Sequence, residues 1–497
     1  MMKTTSASNF SKKIFLIIFS CHFMIFFAGC SSTGPRDGDT VFLFKDITVI
    51  DAVNGLRAGQ SVMIRGNKIV EVGLAEEIEE PSGATIVDGS GKYMIPGLWD
   101  AHGHLENTDA LTPAMFPLLI VNGITYFRDT SANLDFILPM RKKAEEASRS
   151  NGMAPQVFMS GPHIDGLQTS WDTSVSAVSA KQAESIVDSL INAGVNEIKL
   201  YDLLSPDIYS EVLSMANSKG LNVSAHVPMA MDVVEASDAG LASMEHMRHL
   251  EFSLSSDWET LLKQRQEMIA ESPEKSGREL RGEIHEAQRL HAFQTQDEER
   301  RATVLRTLAE NNTWQVPNLT LGASAEHRIF TSDEWKKTFR YLPESVRSEW
   351  EERAISMAEE PPSEVGLARA NWAYDMIPRL AEAGIGIMAG TDMPLALQTP
   401  GFSLHEELAL LVHAGLTPMQ AIEAATLHPA QYFGLENQQG TIAKDMKADL
   451  VILDANPLED ITNTQRLNAV MRNGHLHTRD DLDKILDQLE KHGKVLA

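Results

Sequence analysis

Two histidines spaced two residues apart at the end of a β-strand can hold a metal ion, and Asp100-Ala101-His102-Gly103-His104 offers such a pair. Alternate residues of a strand point to one side, so His102 and His104 face the same way with Gly103 between them. Taken alone, this spacing suits an ordinary pair of core or surface histidines as well as a metal site. The rest of the chain decides the matter. The C-terminal ends of later β-like stretches carry Lys199, His226, His246 and Asp392, all metal-competent or able to become so. Several polar groups set independently inside an apolar scaffold are costly without partners, and a shared metal site is the economical explanation.

The elements that must position these residues alternate in strand and helix character, the sequence form of a parallel α/β sheet. The strand candidates are Met94–His104, Gly123–Thr130, Gln156–Gly161, Asn196–Asp202, Asn222–Val227, Ala242–Met247, Thr313–Thr320 and Gly384–Asp392. Between the fourth and fifth, Ile208–Lys219 reads as an amphipathic helix stopped by Gly220. Repetition of such units predicts an α/β fold of the (β/α)8 TIM-barrel type over residues 94–436, with active residues at the strand C-termini. Helical insertions at about 252–312 and 325–376 follow strand ends and are expected over the barrel mouth. Short β-like runs with turn signals at Gly66-Asn67 and Asn473-Gly474 predict a small β-sandwich built from both ends of the chain, 40–93 and 437–480, before a C-terminal helix at 481–497.

The chain has 497 residues, ample for such a barrel with a satellite, and a formal net charge of −26. A surface that negative repels phosphate backbones, so nucleic acid is not an expected partner. Lys12 and Lys13 precede an apolar run from Ile14 to Ala28 that ends in Phe27-Ala28-Gly29-Cys30. The run is shorter than the ~20 residues that span a bilayer. It resembles a bacterial lipoprotein signal, residues 1–30, although Phe27 stands where that pattern usually has Leu. The resemblance implies an exported lipoprotein held to a membrane by a lipid on Cys30. Ser31 and Ser32 resemble outer-membrane sorting, at the periplasmic side or the cell surface, and residues 31–39 suit a flexible tether. Cys21 and Cys30 are the only cysteines, so a mature chain beginning at Cys30 would have no thiol for a disulfide. The oligomeric state is left open.

Ile95-Pro96-Gly97-Leu98-Trp99-Asp100-Ala101-His102-Gly103-His104 resembles the opening motif of the amidohydrolase superfamily, whose ligand order is HxH, Lys, His, His and Asp. His102, His104, Lys199, His226, His246 and Asp392 match that order residue by residue. Gly123 to Asp129, Glu245-His246, Gly390-Thr391-Asp392, Ala425 to Ala430 and Ala448 to Val451 extend the likeness over most of the chain. Together they resemble the branch containing imidazolonepropionase and the Xaa-Pro and Xaa-Arg dipeptidases. The resemblance implies two divalent ions, with zinc suited to these donors, bridged by a carboxylated Lys199. One ion would take His102, His104 and Asp392, the other His226 and His246. A bridging hydroxide would attack the substrate, and Asp392 would also act as the catalytic proton carrier.

Other residues carry weaker signals. His163 follows the third strand candidate and could reach a substrate, and His249 could support His246. His405, His413 and His428 read as structural. Tyr201 could donate to a substrate, while Arg128 beside Asp129 suits either a substrate carboxylate or a buried ion pair. Val227-Pro228 stands where dipeptidase relatives carry further polar residues, and Asp445 occupies a turn position usually held by Gly. The sequence therefore reads as an exported binuclear metal-dependent amidohydrolase that cleaves an amide or cyclic-amide C–N bond of a small molecule such as a dipeptide or N-acyl amino acid. Alternatives are a lactonase or phosphoesterase on the same site, or a catalytically retired binding lipoprotein; retirement usually costs ligands, and all six are present.

Overall fold

The computed structural model describes residues 40–106, 109–322 and 328–495. The signal segment 1–30, with Cys30, and the tether 31–39 lie outside them.

Both ends of the described chain contribute to one eight-stranded sheet. Its strands are β1 (Val41–Asp51), β2 (Gly55–Arg65), β3 (Lys68–Leu74), β4 (Thr85–Asp88) and β5 (Tyr93–Pro96) from the first part. From the last part come β15 (Leu450–Leu453), β16 (Leu467–Arg472) and β17 (His475–Thr478). Their order is β17-β16-β15-β5-β1-β2-β3, with β4 also paired to β1. The hairpin turn Asn473-Gly474 has φ of 51° and 82°, the paired positive values a tight β-turn between twisted strands requires. Asp445 takes φ 72° where Gly would be unstrained, and its N–H donates to the Ile69 carbonyl at 2.8 Å.

The middle of the chain forms two parallel sheets, so the fold is mixed α/β. One contains β6 (Leu98–Gly103), β7 (Ile124–Asp129) and β8 (Gln156–Met159). The other runs β10-β9-β11-β12-β13-β14, with β9 (Ile164–Asp165), β10 (Val175–Ser176), β11 (Glu197–Leu200), β12 (Asn222–Ala225), β13 (Ser243–Glu245) and β14 (Trp314–Val316). Strands β6, β7, β11 and β13 are buried at every residue, as parallel strands covered on both faces should be. The helix expected near 208–219 is Pro206–Ser218, and Gly220 beyond it has φ 73°.

Two strand candidates differ from expectation. The run Met94–His104 divides at Gly97. Its first part, β5, joins β15 and β1 in the mixed sheet, and its second part, β6, joins β7. A Cβ at Gly97 would lie 2.1 Å from Thr125 Oγ1, so only glycine lets the chain pass between the two sheets. The run Gly384–Asp392 is not a continuous strand. It makes isolated parallel bridges from Ile387 to Gln315 and from Met393 to Gly103. Close approach explains the interruptions: a Cβ at Gly386 would strike Trp314, and one at Gly390 would lie 2.7 Å from His102.

The insertion after β13 folds into the helices Trp258–Glu271, Gly277–Gln294 and Glu298–Glu310. Ser276 and Glu279 cap the middle one reciprocally, which fixes where it starts. Gln168, in the loop after β9, donates from Nε2 to the Ser272 and Lys275 carbonyls, and Arg278 lies 4.2 Å over the Trp171 ring. These contacts lay the Gly277–Gln294 helix against the loops at the strand C-termini. The second insertion includes the helices Glu344–Glu359 and Glu364–Glu382. Among the described residues no helix is long and apolar enough to cross a membrane.

Candidate metal-dependent active site

His102 ends β6 and His104 lies just beyond it, with ring centroids 5.4 Å apart. Gly103 between them faces Phe127 so closely that a Cβ would meet its ring at 2.6 Å. Asp392 reaches the pair from the far end of the chain. Its position is set by Asp100, whose Oδ2 accepts from Thr391 Oγ1 at 2.7 Å and whose Oδ1 accepts from the Thr391 N–H at 3.1 Å. Asp392 itself has φ 67°, a conformation an aspartate holds at a cost and one often found at functional sites. One donor atom from each of His102, His104 and Asp392 lies within 4.8 Å of the others. Asp392 Oδ1 is 2.8 Å from His104 Nε2 and 3.3 Å from His102 Nε2, yet it has no hydrogen-bond partner. Buried ligand atoms that converge this closely, with no well-aligned hydrogen bond to Asp392 Oδ1, fit a cation between them.

The other three predicted residues sit beside this trio. His226 and His246 have ring centroids 5.0 Å apart, and His246 is 4.6 Å from His102. His246 has φ 60°, so a second residue of the group holds a left-handed backbone. Lys199 on β11 is 1% exposed, and its Nζ has no hydrogen-bond partner. Burial, the first cause, pushes its amine down to about 8, against the opposing pull of Glu245. Burial pushes the Asp392 carboxyl up, but His246, His102 and His104 overcome it and hold the group well below the usual carboxylate range. The structure thus brings all six sequence-predicted residues to one place.

Carboxylates orient two of the histidines. Glu245 Oε2 contacts His102 Nδ1, leaving His102 Nε2 for an ion. Glu245 is held in turn by Arg128, which donates from Nη2 to its Oε1 at 3.1 Å and binds Glu197 through Nε and Nη2 at 2.7 and 2.8 Å. Arg128 is therefore a buried ion-pair residue, although its partners are Glu197 and Glu245 instead of the adjacent Asp129. Asp202 Oδ1 lies 3.0 Å from His226 Nδ1, and its Oδ2 accepts from Arg281 Nη1 at 2.9 Å. Each of these two histidines thus has a carboxylate behind it and an arginine behind the carboxylate.

The model of the Amidohydrolase family matches residues 93–477. The chain belongs to the amidohydrolase family. Members of that family are hydrolases acting on carbon–nitrogen bonds. This amidohydrolase is 37% identical over 84 residues to adenine deaminase 2 of Shouchella clausii (strain KSM-K16), covering 17% of this chain and 14% of that one. It is 36% identical over 87 residues to the imidazolonepropionase of Deinococcus deserti (strain DSM 17065 / CIP 109153 / LMG 22923 / VCD115), covering 17% and 21%. The chain therefore spans well under a third of the length of either relative. A crystal structure of a Xaa-Pro dipeptidase with methionine bound in its active site shares the fold at 19% identity and TM-score 0.63, covering 88% of this chain and 100% of that one.

In the amidohydrolase the six residues open onto a cavity of about 190 Å³. His163, Trp171, Tyr201, Arg248, Arg281 and Leu321 complete its wall. A larger cavity of about 280 Å³, lined by Arg141, Lys447 and Arg472 among others, contains none of the six. His163, a weak signal in sequence, lies 6% exposed in the wall and shares a hydrogen bond of 2.7 Å with Ser131 Oγ. Burial holds its imidazole well below its ordinary value, so the ring is neutral near pH 7. Tyr201 also lines the cavity and accepts from Trp171 Nε1 at 2.7 Å. His249 is buried with Nδ1 on the Val227 carbonyl and Nε2 3.3 Å from His285 Nε2. Sequence reasoning missed Asp100, Asp202, Arg248 and Arg281 as parts of the site, and saw Glu245 only as part of a motif. Glu245 and Asp202 did stand at strand ends and could have been found there. Arg281 had no such signal, because a helix of the insertion delivers it.

Proposed function

We propose that this chain is an exported, binuclear metal-dependent amidohydrolase that cleaves the C–N bond of an amide or cyclic amide, with dipeptides and N-acyl amino acids as the substrate class. The observation that carries the reading is the convergence of His102, His104 and Asp392 on one point, with Asp392 Oδ1 and the neighbouring Lys199 Nζ buried and without hydrogen bonds. Such orphaned donors argue against a retired enzyme. The parallel bridges from Ile387 to Gln315 and from Met393 to Gly103 support reading the two parallel sheets as one (β/α)8 barrel, with a β-sandwich formed by the chain ends.

His102, His104 and Asp392 would hold one ion, His226 and His246 the other, and Lys199 would bridge them as a carbamate, for which its burial and lowered pKa are suited. Zinc matches imidazole and carboxylate donors. Bound there, the ions lower the pKa of water and polarise a substrate carbonyl. Asp392 accepts the proton released when water attacks and passes it to the departing amine, which leaves neutral. His163 and Tyr201 orient the substrate by hydrogen bonds from the cavity wall. Trp171 and Leu321 limit the room for water around the reacting amide.

The test is metal analysis of the purified mature chain followed by assay against dipeptide, N-acyl amino acid, lactone and phosphoester libraries. Two ions per chain and turnover confined to amides are expected. Fewer than two ions would defeat the bridged-lysine arrangement, and turnover of lactones or phosphoesters alone would defeat the amide assignment. The reading includes a lipid on Cys30 that holds the enzyme to a bacterial membrane outside the cytoplasm. Expressed in a bacterium, the wild-type protein should sediment with membranes and Cys30→Ser should not; equal partitioning would remove the anchor from the proposal.

A further inference from the structure

The chain is strongly acidic, yet Arg248 and Arg281 line the cavity, and Arg248 and Arg289 both lie within charge range of Arg369. Arg281 and Arg289 lie eight residues apart on the Gly277–Gln294 helix, with His285 halfway between, so the three share one face. Two of the arginines at the mouth have carboxylate partners: Arg281 binds Asp202, and Arg289 Nε donates to Glu251 Oε1 at 2.7 Å. Two do not. Arg248, in the turn after β13, lines the cavity, and its Nε is buried without a hydrogen-bond partner. Arg369, on the Glu364–Glu382 helix, makes no side-chain hydrogen bond or ion pair among the described residues. It packs against Gly322, where an added Cβ would lie 3.7 Å from its Nε and Nη2, beside cavity-lining Leu321.

The electrostatic situation of these groups agrees with the geometry. Burial, then the charges of Arg289 and Arg248, push the Arg369 guanidinium down to about 9, against the opposing pull of Glu251 and Asp392. Guanidinium does not give up its proton in a protein, so the crowding is relieved by an anion. His249 and His285 offer no negative charge, since burial keeps both imidazoles neutral. Asp392 also draws on Arg369, but Asp202 and Glu251 are already paired with Arg281 and Arg289, which leaves Arg248 and Arg369 with no carboxylate bonded to either among the described residues.

We propose that Arg248 and Arg369 form the anion-recognition subsite of this enzyme and take a carboxylate carried by the amide substrate. The proposal deepens the amidohydrolase reading and rests on it for the nature of the ligand. Guanidinium forks pair with carboxylate and phosphate alike, but a peptide or N-acyl amino acid brings a carboxylate a few bonds from its amide. Such a substrate fits the small cavity with its amide at the histidines and its carboxylate at the arginines.

The test separates binding from turnover. N-acetylphenylalanine, its carboxamide and inorganic phosphate are titrated into the metal-loaded wild type, Arg248→Met and Arg369→Met by calorimetry, and hydrolysis of the two amides is measured in parallel. The carboxylate should bind wild type about 10- to 100-fold tighter than the carboxamide, the range for charge-assisted hydrogen bonds. Each Met variant should lose most of that preference through KM while kcat changes little, and Arg248→Lys should keep part of it. Equal affinity for carboxylate and carboxamide in wild type overturns the subsite whether or not the variants fold. Phosphate binding without a carboxylate preference overturns the carboxylate assignment. A carboxylate preference without hydrolysis of any amide supports the subsite and defeats the amide reading instead.

Discussion

In the proposed reaction Asp392 does two jobs, holding an ion and carrying a proton. Asp392→Asn keeps the shape and one donor oxygen but loses the basicity, so turnover should fall by at least 10²-fold while melting temperature changes little. Metal-loaded enzyme that retained its rate would remove the proton role. Glu245 and Asp202 make a different prediction, because they touch histidines and not substrate. Glu245→Gln and Asp202→Asn should each weaken metal binding by about 10- to 100-fold, measured by competition with a chelator. The six candidate ligands were legible in the sequence because strand C-termini are where such a fold exposes side chains, and each stood at the end of a strand candidate, although the one ending in Asp392 forms only isolated bridges. The carboxylates behind them were harder to see. Glu245 acts on His102, 143 residues away, and Asp202 is held by Arg281, 79 residues away, and nothing local in the chain announces either pairing.

At the scale of elements, the Gly277–Gln294 helix departs most from what composition suggests. Its charged sequence reads as a solvated face, and the expectation that the insertion lies over the strand ends was all that periodicity could supply. The structure puts Arg281 from this helix into the cavity wall, within 3.3 Å of the Tyr201 hydroxyl and bonded to Asp202. If the proposed second ion sits at His226, Arg281→Met should raise KM and lower metal content measured under mild chelation. Arg281→Lys, which keeps the charge but not the fork, should recover only part of either property. Undiminished metal content in the Met variant would show that the helix merely covers the site. The segment Gly384–Asp392 shows where strand reasoning fails: its apolar pattern is right, but the Trp314 ring presses against Gly386 and the His102 backbone and Cβ against Gly390, leaving only isolated bridges.

For the molecule as a whole, the junction between the mixed sheet and the parallel strands is held by a buried ion pair. Asp449, next to β15, binds Arg472 of β16 at 2.9 Å and accepts from the Tyr126 hydroxyl of β7. Burial pushes the Asp449 carboxyl up, but Arg472, Tyr126 and the Asn473 N–H hold it below its ordinary value of 3.8. The unfolded chain therefore binds the proton first as pH falls, so Asp449 stabilises the fold above about pH 4 and loses that contribution as acid titrates the folded form. Asp449→Asn should cost about 3–5 kcal/mol in urea unfolding near pH 7, because Arg472 is left buried without its charge partner. The gap to wild type should narrow below pH 4, and a gap independent of pH would mean that packing, not charge, holds the junction. That both chain ends share one sheet was legible from their β-like texture. The way β5 and β6 part at Gly97 to serve two sheets was not, since it depends on Thr125 lying against that glycine.

The two arginines behind the metal-site histidines differ in one respect. Arg128 is fully buried among strands, whereas Arg281 rides on a helix of the insertion that packs against the Trp258–Glu271 and Glu364–Glu382 helices and the loop after β9. In the proposed binuclear enzyme, docking of that helix and loading of an ion at His226 would be a single equilibrium, because each would steady Asp202 for the other. A metal-free enzyme should then show fast amide hydrogen exchange along Gly277–Gln294 that slows when the ion returns, while exchange in β7 stays unchanged. In that arrangement the Arg281–Asp202 pair and an ion beside His226 would complete the enclosure of the cavity together.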